Sequence, residues 1–228
     1  MFKQAEYLIF DLDDTLYPQT EYTRQCLYNS CSVFQEYYKL RIEDVKRAMD
    51  QILNKYGIEY KYIYNEVFNL LSIDGISHLP QMLEQFHKAK PQITPFPNTQ
   101  KALTYFKQRN FSLGIITDGP VAVQQYKIQN LGIDSYFSDI VYTDSLGISN
   151  RKPSTAGFQE FLKRNSVSPL HCVYIGNDPR KDFLPAKQTG MQTVRIRQGE
   201  YKNITLDKEH EAQYNVNNIV ELMKLIDS

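Results

Sequence analysis

Three carboxylates lie within four positions of the chain, directly after a short apolar run. The stretch YLIFDLDDTLYP, from Tyr7 to Pro18, places Asp11, Asp13 and Asp14 behind the residues YLIF. Asp11 and Asp13 are two positions apart on an extended turn, so one carboxylate could attack an electrophile while the other moves a proton. Carboxylate oxygens also suit a hard cation such as Mg²⁺. We therefore expect Asp11 and Asp13 in a catalytic and metal site.

Polar residues follow three further apolar runs in the same way. They are Thr117 and Asp118 after LGII, Lys152 after IVY, and Asn177, Asp178 and Asp182 after VYI. A transferring phosphoryl group carries charge on its oxygens, and cations, hydroxyls and metal ions stabilise that charge. The set predicts a site for a phosphoryl group and a divalent metal, with Thr117, Asp118 and Lys152 around the phosphate.

The apolar runs predict the strands of a parallel β-sheet in an α/β protein. They span residues 7–10, 113–116, 140–142, 173–175 and 193–196. Each run is short and apolar, as expected of a strand that is buried on both faces, and helical stretches lie between them. Ligands of open α/β sheets bind beyond the carboxyl ends of the strands. We therefore expect the polar residues to meet at one edge of the sheet.

About a hundred residues separate the first two predicted strands, far more than one crossover helix requires. From residue 17 to residue 90 the chain has helical periodicity and almost no strand signals. The sequence therefore predicts a helical domain at 17–90, inserted into a discontinuous core formed by residues 1–16 and 91–228.

Composition and charge exclude several classes of partner. The chain has 228 residues, with 26 basic and 26 acidic side chains, so no net field attracts nucleic acid. No apolar run approaches the roughly 20 residues of a membrane span, and the first residues lack a signal-peptide pattern. We expect a cytoplasmic protein with a small-molecule substrate and with three buried thiols, Cys26, Cys31 and Cys172. The oligomeric state stays open.

Four motifs resemble, in order, those of the haloacid dehalogenase-like hydrolase superfamily. They are DLDDT at 11–15, TDG at 117–119, RKP at 151–153 and GNDPRKD at 176–182. The resemblance implies a Rossmann-like core with a helical cap domain inserted after the first motif, and Mg²⁺ as cofactor. It also implies that Asp11 is the nucleophile that forms an aspartyl-phosphate. Asp13 then protonates the leaving group and activates water, while Thr117 and Lys152 hold the phosphate.

The residue at position 13 indicates which branch of the superfamily the chain resembles. The second Asp of the first motif is absent in dehalogenating members and replaced in phosphonate-cleaving members. Its presence therefore favours hydrolysis of a phosphate ester. We expect a nucleoside monophosphate or a sugar phosphate as the substrate. Thr15 is expected to help set the loop, and Asp14 is expected to face outward.

The fourth motif departs from the family pattern, which commonly has an Asp directly after the Gly. This chain has Asn177 there and Asp178 next. Either residue could ligate Mg²⁺, and we prefer Asp178 because a charged ligand suits a hard cation better. In either case Asp182 is expected to orient Lys152 or a metal-bound water.

Two alternatives to a phosphatase stay open. One is a phosphotransferase or mutase of the same superfamily, which would move phosphate to a second hydroxyl. The other is a non-catalytic binding protein that retains the fold. Intact Asp11, Asp13, Thr117 and Lys152 argue against a pure binding protein, and Asn177 is the only feature in its favour.

Overall fold

The computed structural model describes residue 2 and residues 4–227. The chain divides into two compact units. One unit combines the N-terminal segment up to Pro18 with the chain from Ile93 onward, and the other consists of Gln19–Gln92. All predicted site residues belong to the first unit.

The unit Gln19–Gln92 is helical. Its helices are α1 (Gln19–Asn29), α2 (Cys31–Tyr38), α3 (Ile42–Tyr56), α4 (Ile63–Leu71) and α5 (Leu79–Lys88). They pack around a core of their own, in which Phe34, Met49 and Val67 are fully buried. Cys26 and Cys31 are buried thiols here, as is Cys172 in the other unit, which confirms the prediction.

The other unit is built on a six-stranded sheet. Its strands are β1 (Tyr7–Phe10), β2 (Ser112–Thr117), β3 (Asp139–Tyr142), β4 (Cys172–Gly176), β5 (Gln192–Ile196) and β6 (Tyr214–Val216). The spatial order is β3-β2-β1-β4-β5-β6, and all neighbouring strands are parallel. The predicted α/β class with a parallel sheet is confirmed. The sequence analysis missed β6, because a three-residue run with a central Asn carries almost no strand signal.

Helices cover both faces of this sheet. They are α6 (Thr99–Gln108), α7 (Val121–Asn130), α8 (Ala156–Asn165), α9 (Phe183–Gln188) and α10 (Ile219–Asp227). Successive strand residues point to opposite faces. Ile9 therefore packs with Phe158 and Phe161 of α8, whereas Phe10 meets Phe106 of α6 at a ring distance of 6.2 Å. Burial on both faces explains why the central strand β1 is a continuous apolar run.

The chain reverses direction across the sheet at β1. β1 pairs with β2 on one side and with β4 on the other, and Phe10 is aligned with Ile115 and with Ile175. The carboxyl ends of the three central strands are therefore level. Such a switch point opens a crevice at the strand ends, and Asp11 directly follows the central strand. Within the described residues, none of the helices has the length and apolar character needed to cross a membrane.

Candidate active site

Lys152 lies at the centre of a buried cluster of charges. Its Nζ is 2.6 Å from Asp11 Oδ1 and 2.8 Å from Asp182 Oδ1, and it donates to the Tyr174 hydroxyl at 2.9 Å. An ammonium group has three protons, and each finds an acceptor here. The side chains of Lys152, Asp11 and Asp182 are at most 2% exposed. Predicted residues from three separate segments thus meet in one hydrogen-bonded cluster.

The two carboxylates that share Lys152 have opposite pKa shifts. Burial raises the pKa of Asp11 to about 7, against the opposing effect of Lys152. Burial acts on Asp182 in the same direction, but Lys152, Lys181 and hydrogen bonds prevail and lower its pKa. Burial alone would lower the pKa of Lys152, yet Asp11 and Asp182 together raise it well above its usual value. Asp182 is therefore the permanent counter-ion of Lys152.

Asp182 also holds the loop after β4. Its Oδ2 accepts from the backbone N–H of Asn177 at 3.2 Å and of Asp178 at 2.9 Å. A Cβ at Gly176 would lie 2.5 Å from Asp182 Oδ2, so only glycine allows this close approach. The predicted contact between Asp182 and Lys152 is present, and the same carboxylate orients Asn177 and Asp178.

Asn177 is connected to Asp11 through Thr15. Thr15 Oγ1 lies 3.2 Å from Asp11 Oδ2 and 3.3 Å from Asn177 Oδ1, and all three side chains are buried. Asn177 Nδ2 has no hydrogen-bond partner among the described residues. One hydroxyl proton cannot serve two acceptors fully. If the Asn177 amide is turned by 180°, Nδ2 donates to Thr15, Thr15 donates to Asp11, and Oδ1 occupies the position without a partner.

Asp178 makes different contacts. Its Oδ1 accepts from Arg180 Nε at 2.9 Å and its Oδ2 accepts from Arg180 Nη2 at 2.8 Å. The Arg180 guanidinium also stacks 3.8 Å from the centre of the Tyr201 ring. Both oxygens of the Asp178 carboxylate are therefore neutralised by one bidentate pair.

Asp13 lies in a second polar cluster, formed with α7. Its Oδ1 accepts from Lys127 Nζ at 2.7 Å and from the Tyr17 hydroxyl, and its Oδ2 accepts from Gln124 Nε2 at 2.9 Å. Gln124 Nε2 also donates to Thr117 Oγ1 at 2.6 Å. Burial would raise the pKa of Asp13, but Lys127 and these hydrogen bonds lower it. The structure thus brings Asp13 and Thr117 together through Gln124.

Asp118 supports the segment that carries Lys152. Its Oδ1 accepts from the backbone N–H of Lys152 at 3.1 Å and from Thr143 Oγ1 at 2.8 Å. Lys181 Nζ lies 3.8 Å from Asp118 Oδ2. The carboxylate therefore anchors the Lys152 segment, and its predicted part in phosphate binding stays a prediction.

The expectation that Asp14 faces outward is wrong. Asp14 is 2% exposed and has a φ of 55°. Its Oδ2 accepts from the backbone N–H of Glu200 at 3.0 Å. The left-handed turn, which Asp tolerates better than most residues, directs the side chain into the protein, where a distant loop satisfies it.

The sequence analysis missed several residues of these clusters, among them Tyr174, Gln124 and Lys127. Tyr174 was assigned only to a buried strand, although a buried tyrosine hydroxyl needs a partner. Gln124 and Lys127 are three positions apart on α7, directly after the TDG motif, and therefore share a helix face. Lysine is seldom buried, so nothing in the local pattern marked Lys127 as an interior residue.

Comparison with known proteins now identifies the family. The family model described as haloacid dehalogenase-like hydrolase matches residues 8–196. The chain belongs to this family. It is 30% identical over 222 residues to the glyceraldehyde 3-phosphate phosphatase of Methanocaldococcus jannaschii, with 96% of each chain covered. The chain is thus a phosphoric monoester hydrolase of the haloacid dehalogenase-like hydrolase family.

Solved structures of the family share the fold. A phosphatase of the family from Thermococcus onnurineus superposes with a TM-score of 0.63 at 23% identity, with 97% of each chain covered. A 2-haloacid dehalogenase from Pseudomonas syringae gives the same TM-score at 21% identity, with 98% of each chain covered. The fold of the family therefore does not separate phosphatases from dehalogenases, and the side chains at the strand ends must do so.

Proposed function

We propose that this protein is a Mg²⁺-dependent phosphatase that hydrolyses a small phosphorylated sugar through an aspartyl-phosphate on Asp11. The observation that carries the proposal is the arrangement at the end of β1. Asp11 is bound to the buried Lys152, and Asp13, two positions later, is bound to a different set of donors. Two carboxylates in different environments are what a nucleophile and a separate acid and base require.

The proposed reaction has two steps. Before the first step Asp13, whose pKa is lowered in this structure, takes up a proton from solvent. An Asp11 oxygen then attacks phosphorus, the bond from phosphorus to the ester oxygen breaks, and that oxygen takes the proton from Asp13. Water then attacks the phosphorus of the aspartyl-phosphate and gives a proton to Asp13, while the bond to the Asp11 oxygen breaks. Inorganic phosphate and free Asp11 result. Lys152 and the Thr117 hydroxyl stabilise the charge on the phosphoryl oxygens throughout.

The residues beside Asp11 fit a magnesium ion. In residue 2 and residues 4–227, no group of three or more His, Cys, Asp or Glu side chains is placed to hold a metal ion. Mg²⁺ is often bound by only one or two carboxylates together with water and substrate oxygens. The partnerless Asn177 Nδ2 supports an amide turned to present Oδ1, next to Asp11. When bound, the ion would offset the negative charge of Asp11 and the phosphate.

These contacts support Asn177, rather than the initially preferred Asp178, as the partner of Asp11 at the metal. Asp178 already gives both carboxylate oxygens to Arg180, and a ligand role would cost it that pair. Asp13 is bound to Lys127 and Gln124, so we assign its side chain to proton transfer rather than to the metal.

The substrate proposal rests on the curated relative. That protein is named a glyceraldehyde 3-phosphate phosphatase and matches over nearly its whole length, which favours a small sugar phosphate over a nucleoside monophosphate. It also favours hydrolysis over the mutase and the non-catalytic alternatives. That Gln19–Gln92 acts as a cap and that the protein is cytoplasmic stay predictions.

The test is phosphate release from a panel of triose, sugar and nucleoside phosphates and 4-nitrophenyl phosphate. It is run with Mg²⁺ and then with a chelator. We expect metal-dependent release that is fastest from a small sugar phosphate. Release from no member of the panel would overturn the proposal, and release that persists in chelator would overturn its metal dependence.

Asn177→Leu replaces the amide with an apolar group that has the same branching and the same number of non-hydrogen atoms, and Asp178→Asn is the matched control. We expect Asn177→Leu to raise the Mg²⁺ concentration at half-maximal activity by about tenfold or more, and Asp178→Asn to change it less. A larger increase for Asp178→Asn than for Asn177→Leu would instead identify Asp178 as the metal ligand.

A further inference from the structure

Lys127 is a buried lysine that the proposed reaction does not use directly. Its side chain is 5% exposed, in the last turn of α7, and its Nζ donates to Asp13 Oδ1 at 2.7 Å. Removing an ammonium group from water is costly unless a close opposite charge compensates. An apolar side chain would fill this position without the desolvation cost of a buried ammonium group. The contact of Lys127 with Asp13 therefore needs an explanation.

Gln124 connects the same carboxylate to the proposed phosphate site. Its Nε2 donates both to Asp13 Oδ2 and to Thr117 Oγ1, and its side chain is buried. The Asp13 carboxylate fixes the orientation of the amide, because the opposite orientation would set two acceptor oxygens against each other. Since Thr117 Oγ1 accepts from Gln124, its own proton remains to donate to a phosphate oxygen.

The two contacts restrain Asp13 from both sides of its carboxylate. Lys127 and the Tyr17 hydroxyl hold Oδ1, while Gln124 holds Oδ2. Gln124 and Lys127 share one face of α7, and α7 begins directly after the short loop that follows Thr117, the last residue of β2. A single helix therefore sets the position of the proposed acid and base relative to the proposed phosphate-binding hydroxyl.

We propose that Lys127 and Gln124 are positioning residues that aim the Asp13 carboxylate at the leaving-group oxygen of the phosphate held by Thr117. The inference rests on the proposed function and deepens it. It assigns to α7 the alignment of the proton donor, a task that the four sequence motifs do not cover. Misplacing a catalytic group by about 1 Å can cost 10²-fold in rate.

Leaving-group dependence distinguishes this role from a merely structural one. An alkyl oxygen needs a proton to depart, whereas a 4-nitrophenolate leaves readily without one. The ratio kcat/KM reports the steps up to departure of the leaving group. A variant that only misplaces the proton donor should therefore lose kcat/KM for the alkyl phosphate and retain it for the aryl phosphate. A variant with a damaged fold should lose both equally.

The experiment compares Lys127→Met with the wild type. The substrates are 4-nitrophenyl phosphate and the alkyl phosphate of the panel that the wild type hydrolyses fastest. We expect kcat/KM for the alkyl phosphate to fall by about 10²-fold and that for the aryl phosphate by less than about threefold. Lys127→Arg should restore part of the loss. Lys163→Met, which removes an exposed lysine of α8, is the matched control and should behave as the wild type.

Gln124→Met keeps the test valid if Lys127→Met fails to fold, because it removes no charge. We expect the same selective loss for the alkyl phosphate, of about tenfold. Equal losses for both substrates, or no loss for either variant, would overturn the inference and leave the proposed function standing. Wild-type protein that releases phosphate from neither substrate would instead overturn the proposed function.

Discussion

Lys152 and Lys127 are both buried lysines bound to a carboxylate of the segment Asp11–Asp13, but their surroundings differ. Lys152 serves two carboxylates, Asp11 and Asp182, and burial leaves the pKa of Asp11 raised to about 7. At Lys127 the arrangement differs: the single carboxylate of Asp13 accepts from three donors, Lys127, Tyr17 and Gln124, and its pKa is lowered despite burial.

The difference shows that the surrounding residues shift the pKa values of two carboxylates of one short motif in opposite directions. Asp11 and Asp13 are identical side chains two positions apart, and both are enclosed by the same unit. What separates them is the number of cations and donors that each receives from other segments. Environments that push two pKa values apart are typical of paired carboxylates with different tasks.

The largest expected effect is the loss of activity when Asp11 is substituted. Asp11→Asn removes the nucleophile while keeping the shape of the side chain, so we expect kcat to fall by about 10⁴-fold or more for alkyl and aryl phosphates alike. Phosphate release and the circular dichroism of the folded protein would be measured together. Asp14→Asn is the matched control, since Asn also tolerates the left-handed turn at this position, and it should keep most of its activity. A fully active Asp11→Asn variant would refute the nucleophile assignment.

An intermediate effect separates the two lysines. Lys152→Met should lower kcat/KM by about 10²-fold or more for both classes of substrate, because Lys152 is proposed to stabilise the phosphoryl charge whatever the leaving group. Lys127→Met should act on alkyl phosphates alone. The two variants would be assayed side by side, and identical patterns would show that the clusters are not functionally distinct.

The smallest expected effect is a pH-dependent change in the free energy of unfolding, and its sign differs between Asp11 and Asp13. In chelator the folded Asp11 carboxyl binds its proton more tightly than the unfolded one, so stability falls as pH rises from about 4 to about 7. Asp11→Asn should therefore be more stable than the wild type at pH 8, by about 1–3 kcal/mol, and this difference should vanish below about pH 4.

Asp13→Asn should show the opposite sign. The pKa of Asp13 is lowered in the folded protein, so its ionised form stabilises the fold above about pH 4, and this contribution is lost as pH falls further. The variant should be less stable than the wild type at pH 8. Urea unfolding at pH 4 and pH 8 measures both variants, and shifts of equal sign would contradict the comparison.

Part of the site was readable from local patterns. Short apolar runs followed by Asp11, Thr117 and Asn177 predicted the parallel sheet and its functional edge, because burial on both faces demands such runs and parallel strands end together. The contact of Asp182 with Lys152 was one of two roles expected for Asp182 from the family resemblance. The sheet and its functional edge follow from periodicity and from the chemistry of phosphate, which consecutive residues encode.

Other features were decided only by the tertiary structure. Asp14 turned inward because Glu200, far along the chain, supplies its hydrogen-bond donor. Arg180 pairs with Asp178, whereas Thr15 contacts Asn177, and these contacts are the basis for proposing Asn177 at the metal. Lys127 became an interior residue because α7 turns it toward Asp13.

The sequence by itself therefore determined which residue types reach the edge of the sheet, since the end of each apolar run and side-chain alternation are local properties. The tertiary structure decided which charge faces which carboxylate. Hydrogen bonds and Coulomb interactions act over a few ångströms in space, between residues that in this protein lie up to 186 positions apart. That pairing distinguishes Asp11 from Asp13.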